Sequence, residues 1–304
     1  MADVHVKVPA TSANCGPGFE CLGLALELYN EFTFTVDPEA DHFTYTFTGF
    51  GADILAQEDP AHNLIGHAMD QVFAKAGEPI QYGHITSDTL IPPSRGLGSS
   101  STAIVGGLLL ANARLKNPLS KEELLVIANR MEGHPDNVAP AIYGNLCCSA
   151  AEGEQVRSTV ITVPDELYFA VVVPEIMVST EYARSVLPQH VPFKEAVHNV
   201  AHASLFVSSM ITHQLDNLKV ALEDHLHVPY RKTLIPHCDQ VFAAAKEKGA
   251  YGATISGSGS TLIAYCPADV AESVAQAMGQ VYQEAGIEYK TYTLKADTQG
   301  ARVV

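Results

Sequence analysis

A glycine-serine segment in the first third of the chain constrains the fold more than any other feature. Pro92–Thr102 places two prolines, two glycines and three consecutive serines directly before an apolar run. Glycine and proline break regular structure and serine favours helix starts, so the segment predicts a loop that leads into a helix N-terminus. Gly96 and Gly98 let the backbone approach a ligand closely. Because a helix start offers unpaired N–H groups and a positive dipole end, it suits an anion such as a phosphate chain.

The segment differs from the common phosphate-binding motifs. No Lys follows Gly98, so the Walker A spacing is absent, and no third glycine stands three positions later, so the dinucleotide pattern is absent as well. Without a loop lysine, Mg²⁺ must neutralise more of the charge, and the Ser100 hydroxyl is a candidate hard-oxygen ligand. The alternative is a serine-capped helix after an ordinary turn, with no ligand.

Two further glycine-rich loops accompany this segment. Pro9–Gly18 follows an alternating run at Val4–Val8, and Ser256–Gly259 joins two short strands in the second half. A single glycine-rich turn is common, whereas three in one chain of alternating strands indicate backbone walls around one ligand.

Hydrophobic periodicity predicts an α+β fold in two halves. Phe32–Val36 and Phe43–Phe47 alternate like strands, and Leu64–Phe73 has a helical apolar stripe that Gly77 closes. The polar stretch at Glu152–Glu154 predicts a boundary between an N-terminal domain of residues 1–155 and a C-terminal domain of residues 156–304. The other predicted elements are a strand near Tyr82–Thr86, a helix capped by Ser120 and Glu123 that ends near Met131, a strand at Tyr168–Val173, a helix over Val197–Leu215, two strands within Ala253–Tyr265, a helix over Val270–Ala285 and a strand at Tyr289–Leu294.

Charge and composition exclude several classes of partner. The 304 residues carry 18 Lys+Arg against 34 Asp+Glu, a net charge of −16, whereas a nucleic-acid binder needs clustered basic residues. The most apolar helical stretch, Ala103–Ala113, is shorter than the roughly 20 residues of a membrane span. The N-terminus has no basic and apolar secretory signal, so we expect a cytoplasmic protein without a membrane partner. Six scattered cysteines without a CxxC pair predict reduced thiols.

The three loops resemble, in the same order, the three motifs of the GHMP small-molecule kinases. Within that family the chain is most similar to the homoserine kinases. The first loop is similar to their P-A-T-S-A-N-x-G-x-G-F-D, with Glu20 at the final Asp, and Glu132–Pro140 resembles their G-H-x-D-N-V-A-P. Ser179–Arg184 and Tyr230–Pro236 resemble their two arginine segments. The likeness covers nearly the whole chain.

This resemblance implies ATP-dependent phosphorylation of the side-chain hydroxyl of L-homoserine, a step towards threonine. It also implies an S5-like N-terminal domain, a ferredoxin-like C-terminal domain and a homodimer. ATP and Mg²⁺ would be required, with Ser100 and Glu132 as the metal ligands and Asn63 with Leu64 near the adenine. The residues assigned to nucleotide binding on this basis are Asn63, Pro92, Arg95, Gly96, Leu97, Gly98, Ser99, Ser100, Ser101, Thr102, Ser256, Gly257, Ser258 and Gly259.

A zwitterionic amino acid needs a carboxylate for its ammonium group and an arginine, ideally as a bidentate fork, for its carboxylate. Glu20 is the candidate for the first role, and Arg184 with Arg231 for the second, helped by Asn14 and His134. The family usually has Asp at the position of Glu20, so this carboxylate reaches one methylene further.

Asp136 and Asn137 are the candidate catalytic residues. Asp136 matches the position at which mevalonate-type relatives carry an Asp that accepts the hydroxyl proton. Phosphoryl transfer through a loose transition state depends mainly on positioning and electrostatics, so a base is not obligatory. The alternative is that Asp136 caps a helix that starts at Asn137.

Several other residues have two interpretations. Arg95 is either a phosphate contact or a solvated cation. His198 and His202 are four apart on a predicted helix, but no Glu or Cys stands at zinc-site spacing, which favours hydrogen-bonded histidines over a metal site. His225 and His227 are predicted to be surface residues.

Two other functions stay open on the sequence. The chain resembles other GHMP kinases of the mevalonate type, although the two arginine segments argue against that substrate. A non-catalytic ligand sensor that keeps the fold is the alternative from a different class of protein, and the intact glycine-serine loops argue against it.

Overall fold

The computed structural model describes residues 3–57 and 59–304. Its eleven strands form a seven-stranded and a four-stranded sheet. The strands are β1 Val4–Ala13, β2 Leu22–Val36, β3 Thr44–Gly49, β4 Gly83–Thr89, β5 Leu146–Glu152, β6 Gln155–Ile161, β7 Leu167–Pro174, β8 Gly252–Ile255, β9 Leu262–Pro267, β10 Tyr289–Leu294 and β11 Arg302–Val303.

Helices occupy most of the remaining described chain. The α-helices are α1 Ala52–Leu55, α2 Leu64–Ala76, α3 Ser99–Asn112, α4 Lys121–Glu132, α5 Pro135–Tyr143, α6 Thr180–Ser185, α7 Phe193–Thr212, α8 Leu218–Ala221, α9 Val228–Arg231, α10 Cys238–Glu247 and α11 Ala271–Glu284. Short 3₁₀ turns lie at Pro60–His62, Leu215–Asn217 and Lys232–Leu234.

The first sheet has the order β11-β1-β2-β4-β3, and β5 pairs with the start of β2 and carries β6 on its other edge. The long β2 joins these parts because it pairs with β1, β4 and β5. Apolar side chains of this sheet, among them Phe32 and Ile85, pack against Val72 of α2 and Leu108 of α3. Helices α2 to α5 therefore share one apolar core with this sheet.

The second sheet has the order β10-β7-β9-β8 and is antiparallel throughout. One set of its side chains packs with Val241 of α10 and Met278 of α11. Another set, including Phe169 and Tyr265, shares a core with Phe206 of α7 and with Leu24 of β2. This shared core joins the two halves of the chain.

Most predicted elements are confirmed. Helix α2 ends at Gly77 in a left-handed conformation with φ of 68°, and Ser120 with Glu123 forms the predicted capping box of α4. Strand β10 has the predicted bounds, but it is not the final strand as predicted, because β11 follows it. The prediction that a loop begins at Pro9 is wrong, because β1 runs to Ala13 and its last residues pair with β2.

The division at residues 155 and 156 stays a prediction. In the structure, β6 pairs with β5 along its whole length and so belongs to the first sheet. Strand β11, at the end of the chain, also returns to this sheet beside β1. We propose that the two domains divide between β6 and β7, at residues 162–166.

All six cysteines are free thiols, as predicted, and four of them are buried. Among residues 3–57 and 59–304, no helix combines the length and apolar character that crossing a membrane requires. Met1 and Ala2, which belong to the segment searched for a secretory signal, lie outside the described residues.

Candidate active site

Helix α3 begins with an uncapped N-terminus. Gly98 is its N-cap residue, with φ of 70°, and it has no side chain to accept from the first N–H groups. The hydroxyl of Thr102 bonds back to the carbonyl of Ser99 at 2.7 Å. The alternative of a serine-capped helix is therefore wrong. The first turn of α3 keeps the N–H groups and the dipole end that suit an anion.

Hydrogen bonds hold the three glycine-rich loops side by side. Thr11 N donates to Leu97 O at 3.1 Å, and Gly257 N donates to Ala13 O at 3.2 Å. Ser256 Oγ lies 2.6 Å from Gly96 O. A Cβ atom on Gly96 would lie 2.2 Å from the carbonyl oxygen of Ser256, so only glycine allows this approach.

The loops enclose a cavity of about 140 Å³. Its lining contains fourteen of the predicted site residues, namely Asn14, Glu20, Gly96, Gly98, Ser99, Ser100, Glu132, His134, Asp136, Asn137, Arg184, Arg231, Gly257 and Ser258. Polar backbone and ionised side chains thus face one small volume.

A second cavity of about 280 Å³ adjoins the first, because Ser94, Ser99 and Ser100 line both. Its other walls include the predicted Asn63 and the apolar side chains of Phe47 and Leu64. Asn63 Oδ1 accepts from Ile65 N at 3.0 Å and caps α2, which fixes this wall. A flat, largely apolar group fits this cavity while an attached anion reaches the start of α3.

Glu132 ends α4 opposite the first turn of α3. Its carboxylate accepts hydrogen bonds from Ser101 Oγ at 2.8 Å and from Ser100 Oγ at 3.2 Å. A carboxylate and a hydroxyl beside an anion site are the hard-oxygen donors that Mg²⁺ prefers. The residues present therefore fit this metal.

Glu20 and Arg184 lie in the same wall and pair directly. Glu20 Oε1 is 2.6 Å from Arg184 Nη1. Glu20 has a left-handed φ of 60°, and its N–H donates to Asn14 Oδ1 at 3.0 Å. Asn14 thus holds the turn from which the Glu20 carboxylate projects.

Arg231 is only 3% exposed, and backbone carbonyls hold its guanidinium. Nε donates to Ala183 O at 3.2 Å and Nη1 donates to Gly257 O at 2.9 Å, while the ring of Phe19 lies 5.1 Å away. Burial, with a further contribution from the charge of Arg184, lowers the pKa of Arg231 to about 10. Arg231 therefore remains a cation at neutral pH and offers a fixed positive charge to an anion.

His134 and Asp136 form a hydrogen-bonded pair at the start of α5. The N-cap of α5 is His134 and the helix begins at Pro135, so the alternative in which Asp136 caps a helix from Asn137 is wrong. Burial lowers the pKa of His134, but the hydrogen bond and charge of Asp136, with the charge of Glu132, outweigh it and raise the pKa. Asn137 Oδ1 accepts from Thr11 Oγ1 at 2.7 Å.

Some predicted residues lie behind the cavity walls. Ser101 reaches the site through Glu132, whereas Leu97 is packed in the core between the two sheets. The others that line neither described cavity are Pro92, Arg95, Thr102, Ser256 and Gly259. Their assignment to nucleotide binding stays a prediction. Two of them also have a structural role: Ser256 joins two of the loops, and Thr102 bonds back to Ser99 in the first turn of α3.

The interpretation of Arg95 as a solvated cation is wrong, while its contact with phosphate stays a prediction. The side chain is buried rather than solvated, and its guanidinium forms an ion pair with Glu175 instead of facing either described cavity. The backbone carbonyl of Arg95 accepts from Thr261 N at 3.0 Å. Arg95 thus joins the loop of Pro92–Thr102 to the second half of the chain.

Sequence reasoning missed four residues in the wall of the smaller cavity, one of which is Ala13 at the end of β1. Phe19 and Thr180 lie within the motifs already quoted, but nothing in their type indicated that they face the cavity. Ser94 lines both cavities from a left-handed φ of 54°, a conformation that Ser seldom adopts and that the sequence pattern does not indicate.

His227 is fully buried, so its prediction as a surface residue is wrong. Its Nε2 donates to Gly16 O at 2.9 Å and its ring stacks on Phe19 at 5.3 Å between centroids. Burial lowers the pKa of His227, which keeps the ring neutral. His227 thus supports the loop that carries Phe19 and Glu20.

The chain is similar to GHMP kinases and, over its whole length, to homoserine kinases. The family model for the N-terminal domain of GHMP kinases matches residues 63–145, and the model for the C-terminal domain of GHMP kinases matches residues 206–284. The homoserine kinase of Picosynechococcus is 40% identical over 306 residues, covering 100% of both chains. The homoserine kinase of Carboxydothermus hydrogenoformans is 39% identical, covering 98% of this chain and 96% of that one.

The fold is also similar to that of a solved homoserine kinase structure. The crystal structure of homoserine kinase from Cytophaga hutchinsonii superposes with a TM-score of 0.92 at 27% identity, covering 100% of this chain and 98% of that one. The similarity therefore includes both sheets and the loops between them.

Proposed function

This chain belongs to the homoserine kinases of the GHMP kinase family, and we propose that it transfers the γ-phosphoryl group of ATP to the side-chain hydroxyl of L-homoserine. The observation that carries the proposal is the juxtaposition of an open helix N-terminus with a carboxylate and two arginines in one small cavity. The product, O-phospho-L-homoserine, is consumed on the route to threonine.

The second cavity would hold the adenosine part of ATP. Its apolar wall of Phe47 and Leu64 suits a flat base, and Asn63 stands at its edge. From there the triphosphate would run over Ser99 and Ser100 to the N–H groups at the start of α3. Backbone N–H groups replace the lysine that this loop lacks.

Ser100 and Glu132 are the residues that would hold Mg²⁺. Ser100 lines both cavities, and Glu132 lines the smaller one. Ser100 Oγ lies 3.2 Å from a carboxylate oxygen of Glu132. Bound there, the ion supplies positive charge to the phosphate oxygens. The carboxylate of Glu132 provides the negative charge that retains it.

The first cavity would hold homoserine. The carboxylate of Glu20 would bind the ammonium group, and the guanidinium groups of Arg184 and Arg231 would bind the α-carboxylate. Asn14 and His134 complete the polar lining. A cavity of about 140 Å³ suits a small amino acid and opposes bulkier alcohols.

Positioning supplies most of the rate enhancement in this proposal. One oxygen of Asp136 already accepts from His134, and Asn137 accepts from Thr11, so both candidate catalytic residues are held rigidly. We propose that Asp136 fixes the ring of His134 beside the substrate hydroxyl. In-line approach to the phosphoryl group then requires little further ordering.

The proposal also includes an oligomeric state and a cellular location. We expect a homodimer, and the strongly exposed apolar side chains of Phe193 and Val200 on α7 are consistent with a buried interface there. We also expect a cytoplasmic location. Light scattering of the purified protein tests the dimer directly.

The test of the function is ADP release with Mg-ATP and a panel of acceptors. We expect turnover with L-homoserine and little with L-serine, L-threonine or mevalonate. Turnover of mevalonate but not homoserine would assign the chain to another GHMP substrate class. Saturable ligand binding without turnover of any acceptor would favour the non-catalytic sensor.

A further inference from the structure

A cluster of histidine and glutamate side chains lies on α7 and on the segment after α8. His198 and His202 are one turn apart on α7, and their rings stack at 3.7 Å between centroids. The fold brings Glu223 beside them. One donor atom from each of these three residues lies within 4.8 Å of the other two.

Two imidazole nitrogens of the cluster are available as donors. His202 Nδ1 is 2.8 Å from Val220 O, and because a carbonyl only accepts, this nitrogen carries the proton and Nε2 keeps its lone pair. His198 Nε2 is buried and has no hydrogen-bond partner within the described residues. A buried ring nitrogen without a partner is costly unless it binds something.

Contacts from His225 orient the carboxylate of Glu223. His225 Nδ1 is hydrogen bonded to the Glu195 carboxylate, and His225 Nε2 is 3.5 Å from Glu223 Oε1. The His225 ring also stacks on His198 at 3.7 Å and 6°. Such second contacts to ligand side chains are a regular feature of protein metal sites, because they fix ligand orientation.

We propose that His198, His202 and Glu223 bind a divalent transition-metal ion of the Zn²⁺ class. Two imidazoles and one carboxylate suit such an ion, whereas Mg²⁺ and Ca²⁺ prefer all-oxygen donors. The donors must close by about 1 Å or more to reach metal–ligand bonds of roughly 2.0–2.2 Å. Small rotations of these partly exposed side chains provide this movement, and solvent completes the coordination.

The ion would hold α7 to residues 223–228, which support the loop that carries Glu20. Asn199, next to His198, donates to Pro17 O at 3.1 Å, and its Oδ1 accepts from His225 N at 2.8 Å. Asp224, next to Glu223, accepts from Asn199 Nδ2 at 2.7 Å. Binding of the ion therefore restrains residues 223–228, which lead into α9 and Arg231.

Titration of the full-length protein with Zn²⁺ and, separately, with Co²⁺ tests this site. We expect one equivalent of metal per chain, with an affinity that falls about ten-fold or more in His202→Gln and in His198→Gln. The matched control is His190→Gln, an exposed histidine outside the cluster, which should leave the affinity unchanged. Circular dichroism of each variant verifies folding.

Two results would overturn the proposal. The first is unchanged Zn²⁺ affinity in both folded cluster variants. The second is a thiolate-to-cobalt charge-transfer band in the Co²⁺ complex, which would assign the metal to a cysteine. Hydrogen exchange adds a separate readout, since Zn²⁺ should slow amide exchange in residues 223–228 of the parent protein, and unchanged exchange would refute this restraint.

Discussion

Glu20 Oε1 and Arg184 Nη1 lie 2.6 Å apart in the wall of the small cavity. These are the two groups that the proposed zwitterionic substrate would separate, with its ammonium on Glu20 and its carboxylate on Arg184. Each charge exchanges one opposite partner for another, so substrate binding does not leave a charge unpaired.

Replacing Glu20 with Gln should raise KM for homoserine by about ten-fold or more, because one charge-assisted hydrogen bond contributes roughly 1.5–3 kcal/mol. KM for ATP should stay within about two-fold, since the ammonium site is separate from the phosphate loop. Steady-state kinetics with each substrate varied in turn measures both. The control is Glu154→Gln at the exposed tip of the β5–β6 hairpin. An unchanged homoserine KM would remove Glu20 from the site.

Replacing Arg231 with Lys keeps the charge but removes the planar fork that bonds Ala183 O and Gly257 O. We expect KM for homoserine to rise about ten-fold or more, with a much smaller change in KM for ATP. Arg157→Lys, on an exposed part of β6, is the matched control. Equal effects on both substrates would contradict a role in binding the carboxylate.

Replacing Ser100 with Ala should increase the Mg²⁺ concentration needed for half-maximal activity, because one hard-oxygen donor is lost beside Glu132. The measurement is activity at fixed ATP over a range of Mg²⁺. Ser273→Ala, on the exposed side of α11, serves as the control. The same Mg²⁺ dependence in Ser100→Ala and the parent would count against this ligand.

Replacing Asp136 with Asn should shift the titration of His134 to lower pH. In the parent protein Asp136 raises the pKa of His134 against the effect of burial, so the protonated ring persists to higher pH. Without that carboxylate, burial becomes the main effect and favours the neutral ring. NMR titration of the His134 ring protons measures this, with the exposed Asp165→Asn as control. A shift to higher pH would refute the assigned cause.

Replacing Gly96 with Ala should lower the free energy of unfolding by about 2–4 kcal/mol, because the new Cβ meets Ser256 O. Gly77→Ala is the matched control. It has a similar positive φ but nothing within 4 Å of the added Cβ, so we expect a cost of only about 1–2 kcal/mol. Denaturant unfolding compares the two variants, and equal costs would show that the contact with the third loop does not matter.

Local signals predicted the elements well. The capping box at Ser120 and Glu123 and the glycine at the end of α2 depend only on neighbours in sequence, and both are confirmed. The three loops were located by composition, and the hydrogen bonds from Ser256 Oγ to Gly96 O and from Thr11 N to Leu97 O bring them into contact. The prediction at Pro9 was wrong because it ended the first strand at Val8. Pairing with residues of β2 that are distant in sequence extends β1 to Ala13.

Contacts between residues that are far apart in sequence could not be predicted from local patterns. Arg95 was assigned as either a phosphate contact or a solvated cation, but Glu175, eighty residues later, pairs with it. The lack of a Glu or Cys at zinc-site spacing argued against metal binding by His198 and His202, yet the loop after α8 supplies Glu223. The fold, rather than local spacing, assembles these clusters.

Phosphorus NMR of the product tests the central claim most directly. After incubation with Mg-ATP and L-homoserine, we expect one new phosphate-ester signal that two methylene protons split into a triplet, together with an equal amount of ADP. This pattern identifies phosphorylation at the side-chain hydroxyl. ADP accompanied only by inorganic phosphate, or a product without that coupling, would contradict the assignment.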